Sequence, residues 1–451
     1  MGDYLRRKID IELLNWFNSK NHSPALVSGI RQCGKSRSIE EFAKRHFKYV
    51  NKINFWDTPN AKSVFEGSLV VKDLIKKISL QFPDFVFVPH ETVLILDEIQ
   101  DCPLARLSLK NFKNDGQFEV IASGSYIGLN MEQKGDSATP KPNGAEDVIH
   151  MKTMDFEEFL WANGYSDDQI DTLISYFNNR EPIPSNVHVK LKELFKEYIC
   201  VGGYPEAVKK YIDTNNFSVA YKKNDSLIFD IKGDPTKRKN EDGGPLYTIT
   251  EISRIQKAFD LVLSSALDDS RRFILSKISG NGNQRTDAIN YLLNSNIVFK
   301  VNNVQNPSLP LAVRKIESDF KLYYADIGMM TTQCGFDTIK AIMQDTLGMN
   351  KGYIFEAAIA DSLYKANIPL YYFAKNSGLE VDFLISYKAH STLIETKAKS
   401  GNAKSSKTIM SHPEHYGETR LIKFGDYNIG FENNILTLPY YFAFALARDL
   451  Y

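Results

Sequence analysis

A short glycine-containing stretch near the N-terminus carries the residues best suited to chemistry. Gly29-Ile30-Arg31-Gln32-Cys33-Gly34-Lys35-Ser36 fits the phosphate-binding pattern G-x-x-x-x-G-K-[ST] at every specified position. In such a loop the main-chain N–H groups curve around a phosphate, and the next helix adds the positive end of its dipole. Lys35 would reach the β- and γ-phosphates of ATP and assist catalysis, and the Ser36 hydroxyl would ligate Mg²⁺. The expected nucleotide contacts are Gly29, Arg31, Gln32, Cys33, Gly34, Lys35, Ser36 and Arg37. A glycine-rich turn that fits the pattern by chance is the alternative.

Two carboxylates end a second stretch of interest. The continuous apolar run Thr92–Leu96 is typical of a parallel strand buried on both faces, and Asp97 and Glu98 follow it. The carboxyl ends of such strands are where an open α/β sheet places its ligand. We predict that Asp97 holds Mg²⁺ and that Glu98 orients and activates the attacking water. An acidic helix N-cap after a core strand is the alternative.

A further strand is predicted over Phe118–Ala122, and Ser123-Gly124-Ser125 follows it. A polar side chain at the tip of that strand would lie beside the γ-phosphate and sense it. Ser123 and Ser125 are the candidates, and we assign Ser125 to the nucleotide site. A plain turn explains Gly124-Ser125 equally well.

A second group of chemically suited residues lies near the C-terminus. Asp382 lies in an alternating strand, and Glu395 and Lys397 lie in the next one. If the turn near Tyr387–His390 closes a hairpin, 387 pairs with 390 and 382 falls opposite 395. Side chains alternate along a strand, so Glu395 and Lys397 share a face, and Asp382 joins them across the pair.

Two carboxylates and a lysine on one sheet face suit metal-dependent phosphodiester chemistry. Asp382 and Glu395, with Glu356 from a preceding helix, would hold Mg²⁺ or Mn²⁺ through oxygen ligands. The metal would activate water, and Lys397 would position that water or neutralise developing charge. Asp382, Glu395 and Lys397 are therefore candidate catalytic residues. Ordinary solvated residues on an exposed strand are the alternative. The lysines at 397, 399, 404 and 407 suit either a phosphate backbone or a solvated loop.

The elements that must position these residues follow from periodicity. Ala25–Ser28 reads as a strand before the glycine loop, Ile39–Lys44 as the helix after it, and Tyr49–Phe55 as another strand. Strands alternating with helices predict an α/β fold with a parallel sheet. The polar stretch Asp136–Asp147 is predicted to be a mobile loop.

Helical periodicity dominates the middle of the chain, from Ser166 to about Phe229. The charged, Pro- and Gly-rich segment Lys232–Pro245 is predicted to be a linker. For residues 246–330 the pattern predicts a small winged-helix-like domain. Arg272–Ile278 and Thr286–Ser295 would be its helices, and a hairpin would follow them. Between Thr250 and Asp326 the sequence has ten Lys/Arg and eight Asp/Glu, which is hardly a basic face. DNA binding and protein–protein contact are therefore both possible functions of this winged-helix-like domain.

Composition limits the function classes. At 451 residues the chain exceeds what one hydrophobic core usually supports, and its 55 basic and 55 acidic residues balance. Any nucleic-acid contact must come from a local patch. The four cysteines lie far apart, which argues against a metal cluster or a disulfide framework and fits a reducing cytoplasm. No stretch approaches eighteen apolar residues and none resembles a signal peptide, so we expect no membrane span and a cytoplasmic protein.

An ordered series of motifs carries a family resemblance. It comprises the glycine loop, Leu96-Asp97-Glu98-Ile99-Gln100, Ser123-Gly124-Ser125, Met154–Phe159 and Gly202–Ala207. The chain resembles the prokaryotic AAA-type P-loop ATPases (AAA+ superfamily) that carry a C-terminal restriction-endonuclease-like domain, and Asp382 with Glu395-Thr396-Lys397 is similar to the PD-(D/E)xK pattern. The resemblance implies an α/β P-loop NTPase sheet, a helical lid, a winged-helix segment and a nuclease-like α/β domain. The implied boundaries are 1–165 for the ATPase core, 166–231 for the lid, 232–245 for the linker, 246–330 for the winged-helix-like domain and 331–451 for the nuclease-like domain.

One departure from the family concerns arginine. Many relatives have an arginine after the glycine that precedes the segment corresponding to Phe156-Glu157-Glu158-Phe159. In this sequence Ala145-Glu146-Asp147 follows Gly144 instead. A nucleotide-sensing arginine is therefore not carried over. A neighbouring subunit often supplies one in AAA-type sites, so a homo-oligomer is among the expected partners.

Two hypotheses follow for the whole chain. In the first, ATP turnover gates metal-dependent cleavage or binding of nucleic acid, with DNA as the expected partner. In the second, ATP drives a regulatory switch that binds a protein partner, and the nuclease-like domain does not cut. The first hypothesis is favoured by the intact set of Glu356, Asp382, Glu395 and Lys397. The second is favoured by the nearly balanced charge of the winged-helix-like domain.

Overall fold

The computed structural model describes residues 4–125, 144–238, 244–268, 271–348, 351–397 and 403–449. The chain folds into two compact units. The first comprises Met1–Thr153 with Asn294–Asn296, and the second comprises Met154–Leu293 and Ile297–Tyr451. Most of the loop predicted over Asp136–Asp147 lies outside the described residues, which resume at Gly144.

A parallel sheet organises the first unit. Its five strands lie in the order β2-β3-β4-β1-β5, and every pairing is parallel. The strands are β1 (Ala25–Gly29), β2 (Tyr49–Asn54), β3 (Thr92–Asp97), β4 (Glu119–Ser125) and β5 (Asp147–Met151). The helices are α1 (Ile9–Asn18), α2 (Lys35–His46), α3 (Val71–Gln81) and α4 (Pro103–Asp115), with 3₁₀ turns at Pro59–Phe65 and Ile99–Asp101. This confirms the predicted α/β architecture with a parallel sheet.

The apolar character of β1 and β3 explains their central role. Every residue of both strands is buried, as expected for parallel strands covered on both faces. The core on one side of the sheet includes Leu94, Leu96, Phe55, Phe65 and Phe112. Because all five strands run the same way, their carboxyl ends meet at one edge of the sheet.

The second unit begins with a run of helices. They are α5 (Phe156–Ala162), α6 (Asp167–Asn179), α7 (Ser185–Val201), α8 (Pro205–Thr214), α9 (Phe217–Lys237), α10 (Ile249–Leu267) and α11 (Gly282–Asn294). The helical pattern predicted from Ser166 to Phe229 is therefore confirmed. Capping boxes at Asp155, Ser166 and Thr248 set the starts of α5, α6 and α10.

An eight-stranded mixed sheet follows, in the order β12-β13-β11-β10-β9-β8-β6-β7. Its strands are β6 (Val298–Val304), β7 (Lys315–Tyr324), β8 (Tyr371–Ala374), β9 (Glu380–Tyr387), β10 (His390–Lys397), β11 (Thr419–Gly425), β12 (Gly430–Glu432) and β13 (Ile435–Pro439). The accompanying helices are α12 (Ile327–Gln333), α13 (Phe336–Met343), α14 (Lys351–Lys365), α15 (Lys404–Met410), α16 (Pro413–Tyr416) and α17 (Ala445–Arg448), with a 3₁₀ turn at Tyr440–Phe444.

The strands predicted for a separate winged-helix-like domain belong to this sheet. β6 and β7 form the expected antiparallel hairpin, but β6 also pairs in parallel with β8 at Asn302 and Asn303. The boundary predicted at residue 330 therefore cuts through one sheet. A two-stranded hairpin is marginally stable alone. Within the larger sheet, Tyr323 of β7 packs near Phe383 of β9, with the ring centroids 5.8 Å apart.

Two further local predictions are wrong. Arg272–Ile278 is not a helix apart from the 3₁₀ turn Leu275–Lys277, because Phe273 donates its N–H to Phe320 of β7 and stacks on that ring. The predicted linker starts inside α9, which continues to Lys237. Buried Asp234 anchors this part of the helix by accepting from Tyr291 at 2.6 Å and pairing with Arg238 at 3.0 Å.

The predicted boundary at residue 165 also differs from the division between the units, which falls after Thr153. The helix α5 belongs to the second unit because its neighbour Met154 donates to Gly203 O at 2.7 Å. A Cβ on Gly203 would lie 2.0 Å from Met154 O, so glycine is required by this close approach.

None of the helices among the described residues is long and apolar enough to span a membrane.

Candidate functional site

The glycine loop connects β1 to α2 at the carboxyl edge of the parallel sheet. Gly34 has φ 99°, a left-handed conformation that suits glycine, and it is the residue before the first turn of α2. A Cβ on Gly29 would lie 2.2 Å from Met151 O of β5, so packing also requires glycine there. Both motif glycines are therefore set by backbone geometry.

Lys35 is buried at the first position of α2. Its ammonium donates to the main-chain carbonyls of Gly29 at 3.1 Å and Ile30 at 3.0 Å. An ammonium held over the loop is positioned to move to a phosphate by rotation of one flexible side chain.

The other predicted contacts of the loop differ in exposure. Arg31 and Gln32 are exposed, and Gln32 has φ 61°. Cys33 is fully buried, with Sγ 3.7 Å from Met151 O. Arg37 points along α2 to Glu41 at 3.2 Å. Because the Cys33 side chain is fully buried, only the main-chain atoms of this residue could face a ligand.

Asp97 is the centre of the polar cluster at the sheet edge. Its Oδ1 accepts from Ser36 Oγ at 3.1 Å and from the Ser123 hydroxyl. Its Oδ2 accepts from Asn54 Nδ2 at 3.1 Å and lies 3.1 Å from Lys52 Nζ. Burial alone would raise the pKa of Asp97, but the Ser123 hydrogen bond and the Lys52 charge outweigh it and hold the pKa below its ordinary value. Asp97 is therefore a carboxylate near neutral pH.

Glu98 follows Asp97 in a left-handed conformation, with φ 54°. Its carboxylate accepts a hydrogen bond from the Gln100 side-chain amide, and Gln100 Oε1 accepts from the Ser125 N–H at 3.3 Å. Gln100 thus connects Glu98 to the end of β4. Ser125 Oγ is buried and has no hydrogen-bond partner among the described residues.

The C-terminal candidates lie in the hairpin of β9 and β10. His390 pairs with Tyr387 and Ile394 with Phe383, so the predicted register is confirmed. The two-residue turn uses Lys388 and Ala389, with φ 48° and 60°, as a hairpin of this length requires. Continuing the register places Asp382 opposite Glu395.

Internal donors already engage these carboxylates. Asp382 Oδ2 accepts from Thr396 N at 2.7 Å, and Glu395 accepts from Ser406 Oγ and pairs with Lys397 Nζ, both at 2.5 Å. Burial and the nearby Asp382 charge raise the pKa of Glu395. For Lys397, burial lowers the pKa, but the Asp382 and Glu395 charges outweigh it and raise the value overall.

Glu356, the third metal ligand predicted from the sequence, has other partners in this structure. Its carboxylate is only 1% exposed, accepts from Tyr323 OH at 2.7 Å, pairs with Arg271 and lies 3.8 Å from Lys321 Nζ. Two cations and a phenol therefore surround this carboxylate. No group of three or more His, Cys, Asp or Glu suited to a metal occurs among the described residues.

Comparison with protein families identifies the part of the chain that carries the sheet-edge cluster. Residues 21–160 match the model of the AAA domain. This segment is an AAA-type ATPase domain. It contains the glycine loop, Asp97, Glu98 and Ser125, and the chain is therefore an ATPase that binds and hydrolyses ATP.

The remaining matches are to domains of unknown function. One, DUF8612, covers residues 192–340, and the other, DUF4143, covers residues 351–441. The first crosses the predicted linker and the predicted boundary at 330, in agreement with the shared sheet. No curated protein sequence matches the chain.

Two solved structures share a weak likeness. The Walker-type ATPase of Pyrococcus abyssi is 13% identical, with a TM-score of 0.41, over 73% of this chain and 96% of that chain. A protein from Vibrio cholerae is 9% identical, with a TM-score of 0.18, over 95% of this chain and 97% of that chain. Neither likeness is strong enough to define the fold.

The glycine loop and the polar cluster around Asp97 also involve residues that the sequence motifs did not indicate. Lys52 and Asn54 share one face of β2, and Asn54 lies directly opposite Asp97 in the sheet register. Buried Arg7 donates to Cys33 O and Lys152 O, each at 2.7 Å, and so ties the glycine loop to the residue after β5. The sequence signal that could have indicated Lys52 and Asn54 is their spacing, because polar residues two positions apart in a strand lie on the same face.

The residues at the sheet edge fit the magnesium ion that an ATPase of this type normally uses. Ser36 Oγ and Asp97 Oδ1 are 3.1 Å apart, and hydroxyl and carboxylate oxygens are ligands that Mg²⁺ prefers. Ser36 and Asp97 would hold the ion, which would neutralise phosphate charge in the nucleotide complex.

Proposed function

We propose that the AAA domain hydrolyses ATP with Lys35, Ser36, Asp97 and Glu98 in the roles that their positions favour. The carrying observation is the contact between Ser36 and Asp97, because it brings the glycine loop and the acidic strand end together. Lys35 binds the β- and γ-phosphates, and Ser36 and Asp97 hold Mg²⁺. Glu98 takes a proton from the attacking water, with its orientation supported by Gln100.

Nucleotide contacts complete the proposed site. Main-chain N–H groups from Gly29 to Ser36 surround the phosphates, with Arg31, Gln32, Cys33, Gly34 and Arg37 lining the loop and the first turn of α2. Ser125, whose buried hydroxyl has no partner among the described residues, is the proposed γ-phosphate sensor.

For the whole chain, we propose an ATP-driven regulatory switch whose second unit binds a partner and does not cut nucleic acid. The supporting observation is the state of Glu356, whose carboxylate is enclosed by Arg271, Lys321 and Tyr323. A metal ion bound by Glu356 would draw this carboxylate away from buried Lys321 and half-buried Arg271 and would add a further positive charge beside them. The partner of this switch is a protein, and a second copy of this chain is included among the candidates.

A second candidate function is cleavage of nucleic acid by the C-terminal sheet. One observation favours it: the hairpin register brings Asp382, Glu395 and Lys397 to one neighbourhood, as in the nuclease-like domain that the sequence resembles. Under this candidate Lys397 is catalytic, and DNA is the substrate.

One experiment separates the two candidates. Purified wild type and Lys397→Ala are incubated with single- and double-stranded DNA and RNA, with Mg²⁺ or Mn²⁺, with and without ATP. The switch predicts ATP hydrolysis without strand cleavage in either protein. Cleavage by wild type that Lys397→Ala loses, with ATP hydrolysis intact, would replace the switch by the nuclease.

A further inference from the structure

Lys52 lies on β2 with its ammonium between two carboxylates. Lys52 Nζ is 3.1 Å from Asp97 Oδ2 and 2.6 Å from Glu40 Oε1 of α2. The Lys52 side chain is 31% exposed, whereas that of Asp97 is 3% exposed. The ammonium therefore supplies a positive charge to a carboxylate that solvent barely reaches.

Donors fully engage Asp97 in this arrangement. Ser36 and Ser123 donate to one oxygen, and Asn54 and Lys52 approach the other. A free divalent cation entering here would have to displace a donor and would meet the like charge of Lys52 at close range. Such a cation gains little from a carboxylate that is already neutralised.

A nucleotide changes this balance. Its phosphates bring several negative charges and oxygen ligands of their own, which offset the repulsion between Lys52 and the metal. Lys52 also keeps a partner when it leaves Asp97, because Glu40 lies within ion-pair distance. The two carboxylates thus give the ammonium a second position within the same site.

We propose that Lys52 is a positioning residue that makes divalent-cation binding at Asp97 conditional on bound nucleotide. It acts as an internal counter-ion, so that metal enters together with the nucleotide phosphates rather than alone. This inference rests on the proposed role of Asp97 as a metal ligand.

Binding of Mn²⁺ to the full-length protein, followed by electron paramagnetic resonance, tests the proposal without reference to turnover. In the absence of nucleotide, Lys52→Met is expected to bind Mn²⁺ at least tenfold more tightly than wild type. With saturating ADP the two proteins should differ by less than threefold. Lys52→Arg keeps the charge and should behave as wild type.

Lys48 provides a matched control. It directly precedes β2 and forms a comparable ion pair with Glu91 at 3.0 Å, but on the exposed surface. Lys48→Met should leave Mn²⁺ binding unchanged. Lys52→Gln repeats the test with a polar side chain, so a folding defect of one variant does not decide the result.

Combining Lys52→Met with Asp97→Asn locates the new binding, which should be lost in the double variant. Unchanged Mn²⁺ affinity in both Lys52→Met and Lys52→Gln overturns the inference, as does tighter binding that survives Asp97→Asn. The proposed function fails separately: it does so if Asp97→Asn alone binds Mn²⁺ with ADP as tightly as wild type.

Discussion

Ser36 donates its hydroxyl hydrogen to Asp97 Oδ1 across 3.1 Å, although 61 residues separate the two in the chain. The strand that precedes the glycine loop, β1, is not a neighbour of β3, which ends at Asp97, because β4 lies between them in the sheet. The contact is made by the first turn of α2, which carries Ser36 over the intervening strand end. The position of that helix start therefore sets the distance between Ser36 and Asp97, the pair proposed to hold Mg²⁺.

Lys35→Ala should abolish ATP binding and turnover. Removing the ammonium leaves the phosphate charge without its positive side-chain partner, and the loop carbonyls of Gly29 and Ile30 lose their donor. Binding of a fluorescent ATP analogue and phosphate release measure the effect. Lys44→Ala, on the exposed side of the same helix, is the matched control and should retain activity. An unchanged rate in Lys35→Ala would contradict the phosphate-loop assignment.

Glu98→Gln should bind ATP normally and hydrolyse it about 10²- to 10⁴-fold more slowly, which is the usual contribution of a general base. The amide keeps the size of the side chain but cannot take the proton from water. Equilibrium binding and single-turnover hydrolysis distinguish the two effects. A Glu98→Gln protein with the wild-type hydrolysis rate would show that another group activates the water.

The two serines of β4 should differ when each is changed to alanine. Ser123→Ala removes a donor to buried Asp97, so we expect a loss of about 1–3 kcal/mol in stability and weaker binding of Mg²⁺ with ADP. Ser125→Ala removes a hydroxyl without a partner among the described residues and should leave stability nearly unchanged. If Ser125 senses the γ-phosphate, its loss reduces the preference for ATP over ADP. If the ratio of ATP affinity to ADP affinity is the same in Ser125→Ala as in wild type, Ser125 does not have that role.

Sequence reasoning succeeded where the determining pattern is local. The glycine loop, the apolar run before Asp97 and the alternation in β9 and β10 each specify their own geometry, and the hairpin register followed from one turn. Partner choice between distant strands is not encoded locally. The pairing of β6 with β8 joins Asn302 to Tyr371 across the predicted domain boundary, and no pattern in either segment indicates it.

Polar residues posed the second difficulty. Lys52 on a strand face has the same local pattern whether it is solvated or paired with Asp97. Likewise Glu356 fits a metal-ligand position in the sequence, but its use depends on Arg271 and Lys321, which precede it by many residues. Charge partners of this kind become visible only with the tertiary structure.

The buried cluster of Asp326, Asp361 and Lys365 should dominate the stability of the second unit. Lys365 Nζ lies 3.2 Å from Asp326 and 3.0 Å from Asp361, and all three side chains are at most 1% exposed. Lys365→Met would leave two buried carboxylates without a cation and should cost about 3–5 kcal/mol. Urea denaturation followed by near-ultraviolet circular dichroism measures the loss. Lys340→Met, which removes an exposed pair with Asp337, is the control and should change stability by less than about 1 kcal/mol.

Asp361 should give this cluster a characteristic pH dependence. Burial, only partly offset by Lys365, raises the pKa of Asp361 from 3.8 to about 6. Between about pH 4 and pH 6 the folded chain keeps a proton that the unfolded chain has released, so the contribution of Asp361 to stability falls as the pH rises through this range. Asp361→Asn removes that proton equilibrium and retains an acceptor for Tyr198 OH, which now lies 2.8 Å from the carboxylate. The stability of Asp361→Asn relative to wild type should therefore improve as the pH rises from 4 to 7. A stability difference that stays constant with pH would show that Asp361 is ionised throughout this range.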